Sequence, residues 1–172
     1  MPPEHVRVRP IADADWEAIA ELEHRAYTGH GLSEGGLALK SRYHASPATC
    51  LAVSAGDRLA GYAIALPYPA FTCPELSTVE QTAFASDNLH LHDLVIVDEL
   101  RGHGLATTLL GRLTSTAHRR GHRRMSLVAV AGSAPFWSAR GYRRHQEVVV
   151  PGSYGATAVY MTRALTPSCQ GS

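Results

Sequence analysis

Two histidines stand two residues apart in the run Leu89-His90-Leu91-His92-Asp93-Leu94-Val95-Ile96-Val97. An imidazole ordinarily titrates near ~6.5, so either ring suits taking a proton at neutral pH, directly or through water. The run around them is apolar and β-branched, which is strand composition. Side chains alternate along a strand, so His90, His92, Leu94 and Ile96 are expected on one face and Asp93 and Val95 on the other. Four residues further on comes Arg101-Gly102-His103-Gly104-Leu105-Ala106, and a helical pattern follows to residue 120. A strand that turns on glycines into a helix aims several free backbone N–H groups and a helix N-terminus at one place, and such a place binds anions. Arg101 adds a fixed positive charge, so the turn is a candidate pyrophosphate cradle. It lacks the third glycine of a dinucleotide fingerprint, and no Gly-Lys-Ser or Gly-Lys-Thr marks a nucleotide P-loop.

The pattern Arg101-x-x-Gly104-x-Ala106 resembles the acyl-CoA motif of the GCN5-related N-acetyltransferase (GNAT) superfamily, Arg/Gln-x-x-Gly-x-Gly/Ala. The downstream order fits too: a helix, Gly121, an apolar strand at 125–130, then Ser133-Ala134-Pro135-Phe136-Trp137-Ser138-Ala139-Arg140-Gly141-Tyr142, similar to the family's Phe-Tyr-x-x-x-Gly-Phe/Tyr segment. The resemblance covers residues 89–142. It implies a donor of acetyl-CoA or another acyl-CoA, or a phosphopantetheine thioester on an acyl carrier protein, and no metal. It also implies cofactor-binding positions. The backbones of Leu94 and Ile96, with Val95 between them, would meet the pantetheine arm. Arg101, Gly102, His103, Gly104, Leu105, Ala106 and Thr107 would hold the pyrophosphate, and Ser133, Phe136 and Trp137 would border the arm. The histidine strand is most similar to that of the arylalkylamine N-acetyltransferases, which implies His92 and His90 as base and water relay. Where many members place an acidic tyrosine this chain has Trp137, and an indole N–H donates a hydrogen bond without serving as a proton-transfer acid.

The elements that must position these groups read as follows. A strand at 5–9 precedes a helix that starts at Asp13–Asp15 and stops near Tyr27. Ser33-Glu34 is expected to begin a second helix packed through Leu37, Leu39 and Tyr43. Strands at 49–55 and 59–66 flank the turn Gly56-Asp57. A long connection of 67–88 suits a functional lid. After the central strand, Leu105, Leu109, Leu110, Leu113 and Ala117 form a helical stripe. Then come a strand at 125–130, a short helix that Ser133 caps, and strands at 146–150 and 158–162. The order β-α-α-β-β-β-α-β-α-β-β predicts an α/β fold: a GNAT-like mixed, mostly antiparallel sheet with helices on both faces. One domain is expected over 1–165, with a loose tail over 166–172.

The 172 residues suit a single domain, and 45% hydrophobic content is ordinary for one. A formal charge of +1 gives no footing for nucleic acid or a membrane surface. Three scattered cysteines and no apolar leader or bilayer-length run point to a cytoplasmic protein. The acceptor site is expected from residues 24–43, the long connection and the late hairpin, with Tyr27, His30, Tyr43, Tyr68 and Tyr154 as candidate contacts. No acidic cluster stands out there for a polyamine. The leading function is acyl transfer to a primary amine of a small molecule, by a monomer or homodimer. The alternatives are a carrier-protein donor or a protein amine acceptor with the same chemistry, and an acyl-CoA-binding protein with no catalysis.

Overall fold

The computed structural model describes residues 5–166. Seven strands form one sheet: β1 (Val6–Pro10), β2 (Leu51–Ala55), β3 (Arg58–Pro67), β4 (Asn88–Ile96), β5 (Arg124–Ala129), β6 (Arg143–His145) and β7 (Val159–Ala164). Their spatial order is β1-β2-β3-β4-β5-β7-β6. Every pairing is antiparallel except β4 with β5. α1 (Trp16–Tyr27) and α2 (Gly36–Ala45) cover one face, and α3 (Leu105–Arg119) covers the other, with α4 (Ala134–Ser138) beside it.

The amphipathic pattern of each helix decides which face it covers. On α3 the stripe Leu105, Leu109, Leu110, Leu113 and Ala117 is wholly buried against Leu89, Leu91 and Ile96 of β4 and Met125 and Leu127 of β5. On the opposite face Trp16, Ile19 and Leu22 of α1 and Leu39 of α2 meet Tyr62, Ile64 and Val95. Asp15 ties α1 to the sheet edge: its carboxylate accepts from the Ala12 N–H at 2.7 Å and pairs with the Arg9 guanidinium at 2.7 Å. That pairing holds the Asp15 carboxyl below its ordinary pKa, the Arg9 hydrogen bond being the largest cause.

Four local expectations are corrected. The helix expected from Ser33-Glu34 starts at Gly36, because the Ser33 hydroxyl and the Glu34 N–H both donate to the Glu23 carboxylate, at 2.9 and 2.8 Å. Leu37 is 82% exposed, so α2 packs through Leu39 and Tyr43, as expected, and through Ala38 and Arg42 in place of Leu37. The strand expected at 146–150 is at 143–145: the chain turns at Gly141, buries Tyr142 in the core and pairs with β7 at once, leaving Val149 exposed. Ser133 makes no side-chain cap on α4. The expected tail over 166–172 lies, past Thr166, outside the described residues.

The fifth correction bears on chemistry. From Tyr62 to Ala65 strand β3 alternates between the two layers, and its partners on β4 run Ala63 with Leu94, Ile64 with Asp93, then Ala65 with Leu91 and Leu66 with His90. His92 is the extra residue of a β-bulge. One extra residue reverses the parity, so Leu94 and Ile96 share the α3 face with Leu89 and Leu91. Asp93, Val95 and His90 share the opposite parity, contrary to simple alternation.

Candidate active site

Strands β4 and β5 pair only over Asn88–Leu91 with Arg124–Leu127, and beyond that they part. The Val97 N–H donates to the Ala60 carbonyl at 2.8 Å. By alternation Val95 also bonds β3, and the backbone groups of Leu94 and Ile96 point into the gap. The gap opens into a cavity of about 660 Å³ that reaches from the glycine turn to α1. Close packing of β3 holds the β4 backbone in place: a Cβ at Gly61 would lie 2.4 Å from the Val95 carbonyl oxygen.

At one end the cavity is bordered by Arg101, Gly102, Gly104, Leu105, Ala106 and Thr107. Gly102 and Gly104 have φ of 80° and 79°, a region that costs an L side chain strain. The first bond of α3 runs from the Thr108 N–H to the Gly104 carbonyl at 3.0 Å, so the N–H groups ahead of it have no intrahelical acceptor. These groups and the helix dipole fit a pyrophosphate. His103, expected here, is exposed and does not border the cavity. Leu94, Val95, Ile96, Ser133, Phe136 and Trp137 do. Trp137 packs edge-on against Phe136 and Tyr142, with centroids 4.9 and 5.4 Å away. Arg140 is a residue that sequence reasoning missed. Its guanidinium lies 3.5 Å over the Phe136 ring at the cavity wall, and its buried Nε has no partner among the described residues. Its presence in the motif segment is the one sequence signal that could have drawn attention to it.

The other end is built around His92, whose side chain is 2% exposed. Its Nε2 lies 2.8 and 2.9 Å from the two Glu34 oxygens. Arg42 Nε is 2.9 Å from the same nitrogen and 3.2 Å from Glu34 Oε2. A protonated Nε2 turns both carboxylate contacts into hydrogen bonds and leaves Arg42 Nε–H its Glu34 acceptor. We therefore assign the proton to Nε2. Nδ1 then carries a lone pair, and it is buried without a partner among the described residues. Burial pushes the Glu34 carboxyl up, yet the charges and hydrogen bonds of His92 and Arg42 outweigh it and hold the group below its ordinary range.

Arg42 is wholly buried. It donates to the Glu75, Leu76 and Thr78 carbonyls at 2.6, 3.0 and 3.1 Å and pairs with Glu80 at 2.7 Å, so it clasps the connection between β3 and β4. That connection is further held by the Tyr154 hydroxyl, which donates to the Pro74 carbonyl at 2.6 Å. Asp93 accepts from the Tyr27 hydroxyl and, at 2.6 Å, from that of Tyr62. Burial pushes its carboxyl up to about 6, against the pull of those two hydrogen bonds.

Of the expected acceptor residues, Tyr27, His30 and Tyr154 border the cavity. Tyr43 and Tyr68 do not. Tyr43 packs on Trp16 with centroids 5.2 Å apart, and Tyr68 packs on Phe84 at 4.9 Å. His90 is also off the cavity. Its Nδ1 is 2.8 Å from the Ser126 hydroxyl, its ring stacks on Tyr160, and burial pushes it down to about 3. A neutral, enclosed ring of that kind is a poor base. Glu34 and Arg42 were missed as site residues because they meet His92 across 58 and 50 residues of sequence. An acidic cluster that does not stand out for a polyamine along the sequence is assembled by the fold: Glu23, Glu34 and Asp93 all border the same end of the cavity. Among the described residues no group of His, Cys, Asp and Glu is arranged to hold a metal ion.

Residues 16–142 match the model of the Acetyltransferase (GNAT) family. No curated protein matches the chain. The fold is shared with the loading GNATL domain of CurA from Lyngbya majuscula (TM-score 0.76, 14% identity, 94% of this chain and 98% of that one). It is shared with Ard1 from Thermoplasma volcanium (TM-score 0.73, 11% identity, 94% and 98%). It is also shared with N-acetylglutamate synthase from Neisseria gonorrhoeae complexed with coenzyme A and N-acetyl-glutamate (TM-score 0.63, 16% identity, 94% and 35%). In that last case this chain spans about a third of the other's length.

Proposed function

The chain belongs to the GNAT acetyltransferase family, and from that premise we propose that it moves an acyl group, acetyl first, from acyl-CoA to the primary amine of a small molecule, with His92 as general base. The observation that carries the reading is the divided bonding of His92, whose ring borders the cavity: Nε2 anchored by Glu34, and Nδ1 buried with no partner among the described residues. A carboxylate on one imidazole nitrogen fixes the tautomer and the ring orientation, and leaves the other nitrogen basic.

Alkyl ammonium groups titrate near ~10.4, so an acceptor arrives protonated and must lose a proton before it attacks. In this reading His92 Nδ1 takes that proton, and Glu34 stabilises the imidazolium that results. The Gly102–Thr107 N–H groups and Arg101 hold the donor's pyrophosphate, and the free edge of Leu94 and Ile96 aligns its arm. The amine nitrogen then bonds the acyl carbon and the carbon–sulfur bond breaks. With Trp137 at the family's tyrosine position, the nitrogen's second proton reaches the thiolate directly or through water. The two-histidine spacing that resembles the arylalkylamine subgroup enters only through His92. Among the described residues no helix is long and apolar enough to cross a membrane. The free thiols Cys50 and Cys73 support a reducing cytoplasm.

Thiol release from acetyl-CoA, measured with amine, peptide and carrier-thioester arms, tests the reading. His92→Ala and Glu34→Gln should each lower kcat by ~10²-fold or more while acetyl-CoA still binds. Full turnover in His92→Ala would remove His92 as base. Turnover only with the carrier or peptides would change the partner.

A further inference from the structure

The amine end of the cavity holds more buried negative charge than its own side chains balance. Glu23 is 3% exposed, and its two oxygens accept from neutral donors, the Ser33 hydroxyl and the Glu34 N–H. Asp93 is 7% exposed, and its oxygens accept from two tyrosine hydroxyls. Among the described residues neither carboxylate forms an ion pair. Glu34 has Arg42, but Arg42 also serves Glu80, so one guanidinium stands against two carboxylates. The three acids act on one another's surroundings: the charges of Asp93, Glu34 and Glu23 all push the Tyr27 hydroxyl up, after burial itself. Buried charge without a counter-charge is costly, and a cation entering the cavity offsets that cost. A second observation points the same way. The His92 ring borders this end, and its buried Nδ1 has no hydrogen-bond partner among the described residues. The opposite end carries Arg101 and Arg140, which suit phosphates.

We infer that the acceptor is an alkyl diamine or an amine bearing a guanidinium, with no carboxylate of its own. This rests on the acyl-transfer reading above. Both ends of such a molecule arrive charged. One ammonium gives a proton to His92, which passes it to solvent. The freed nitrogen bonds the acyl carbon, the carbon–sulfur bond breaks, and the second nitrogen proton ends on the thiol. The other cation keeps its charge throughout and stays opposite Glu23 and Asp93. A monoamine loses its only charge when it reacts, and an amino acid adds a fourth carboxylate to the cluster.

The test compares an alkyl diamine, a monoamine of the same chain length and an ω-amino acid of that length. Thiol release from acetyl-CoA should give the diamine a kcat/KM at least ~10-fold above the monoamine, with the ω-amino acid lowest, as expected for unit charges a few ångströms apart near a protein surface. Glu23→Gln should narrow the ratio of diamine to monoamine, and Asp93→Asn does the same if the first variant does not fold. Calorimetric titration of the protein without donor should give the diamine the lower Kd. Equal or better use of the ω-amino acid overturns the inference and leaves acyl transfer standing. If no amine is turned over, acyl transfer to small amines fails, and the titration still decides: a diamine bound no tighter than the monoamine overturns the inference.

Discussion

Replacing Asp93 by asparagine should change the pH dependence of stability in a way that can be calculated. Burial lifts this carboxyl from 3.8 to about 6 in the folded protein. The folded state therefore binds the proton more tightly than the unfolded chain. The stability this contributes is fully present below 3.8 and is lost as pH rises through about 6. At neutral pH the ionised group costs about 3 kcal/mol, about two pKa units at ~1.4 kcal/mol each. His90 acts in the opposite sense: its folded value of about 3 against an ordinary 6.5 penalises the fold as pH falls below 6.5. The wild-type curve mixes the two, but the difference between wild type and Asp93→Asn cancels His90 and everything else they share. Between about pH 7.5 and about pH 5 the wild type should gain about 1.4 kcal/mol relative to the variant, as the folded-state carboxyl protonates and the unfolded one does not. Urea denaturation of both proteins at both pH values, with equal m-values, measures it. Curves that stay parallel within ~0.3 kcal/mol would refute the reasoning, because Asp93 would then titrate alike in both states.

Gly61→Ala should cost ~1–3 kcal/mol of stability and weaken acetyl-CoA binding, since the new Cβ would stand 2.4 Å from the Val95 carbonyl and 2.6 Å from Ile96 Cδ1. Denaturation and a titration with the coenzyme read the two effects, and an unchanged affinity would show that the β4 edge does not depend on this contact. His90→Gln should lower stability by ~1–3 kcal/mol through its Ser126 partner and leave kcat/KM within a few-fold. A collapse in kcat at native stability would return His90 to the chemistry.

What could be read along the chain was local. The glycine turn, the α3 stripe and the apolar strand at β4 each announce themselves within a dozen residues, and all three stand where composition put them. The bulge did not announce itself, because an extra residue in a strand changes neither its hydrophobicity nor its β-branching. The result was a wrong face for His90. Nor could Arg42 be recognised: on α2 a basic residue ordinarily means solvent, and the carbonyls of Glu75, Leu76 and Thr78 with the carboxylates of Glu34 and Glu80 make burial tolerable. The strand at 146–150 failed for a related reason. Three valines in a row satisfy strand propensity, but pairing with β7 is already complete at His145.

The bulge also separates two kinds of selection. Elsewhere on β4 the apolar positions are judged by the layer they face, since Leu89, Leu91, Leu94 and Ile96 fill the α3 core and Val95 the α1 core. Residue 92 belongs to neither count. A mutation there acts on the reaction and on the Glu34 and Arg42 contacts, and leaves the packing of both layers in place. Descendants of such a chain could explore new bases at one position while the sheet on either side stays unchanged.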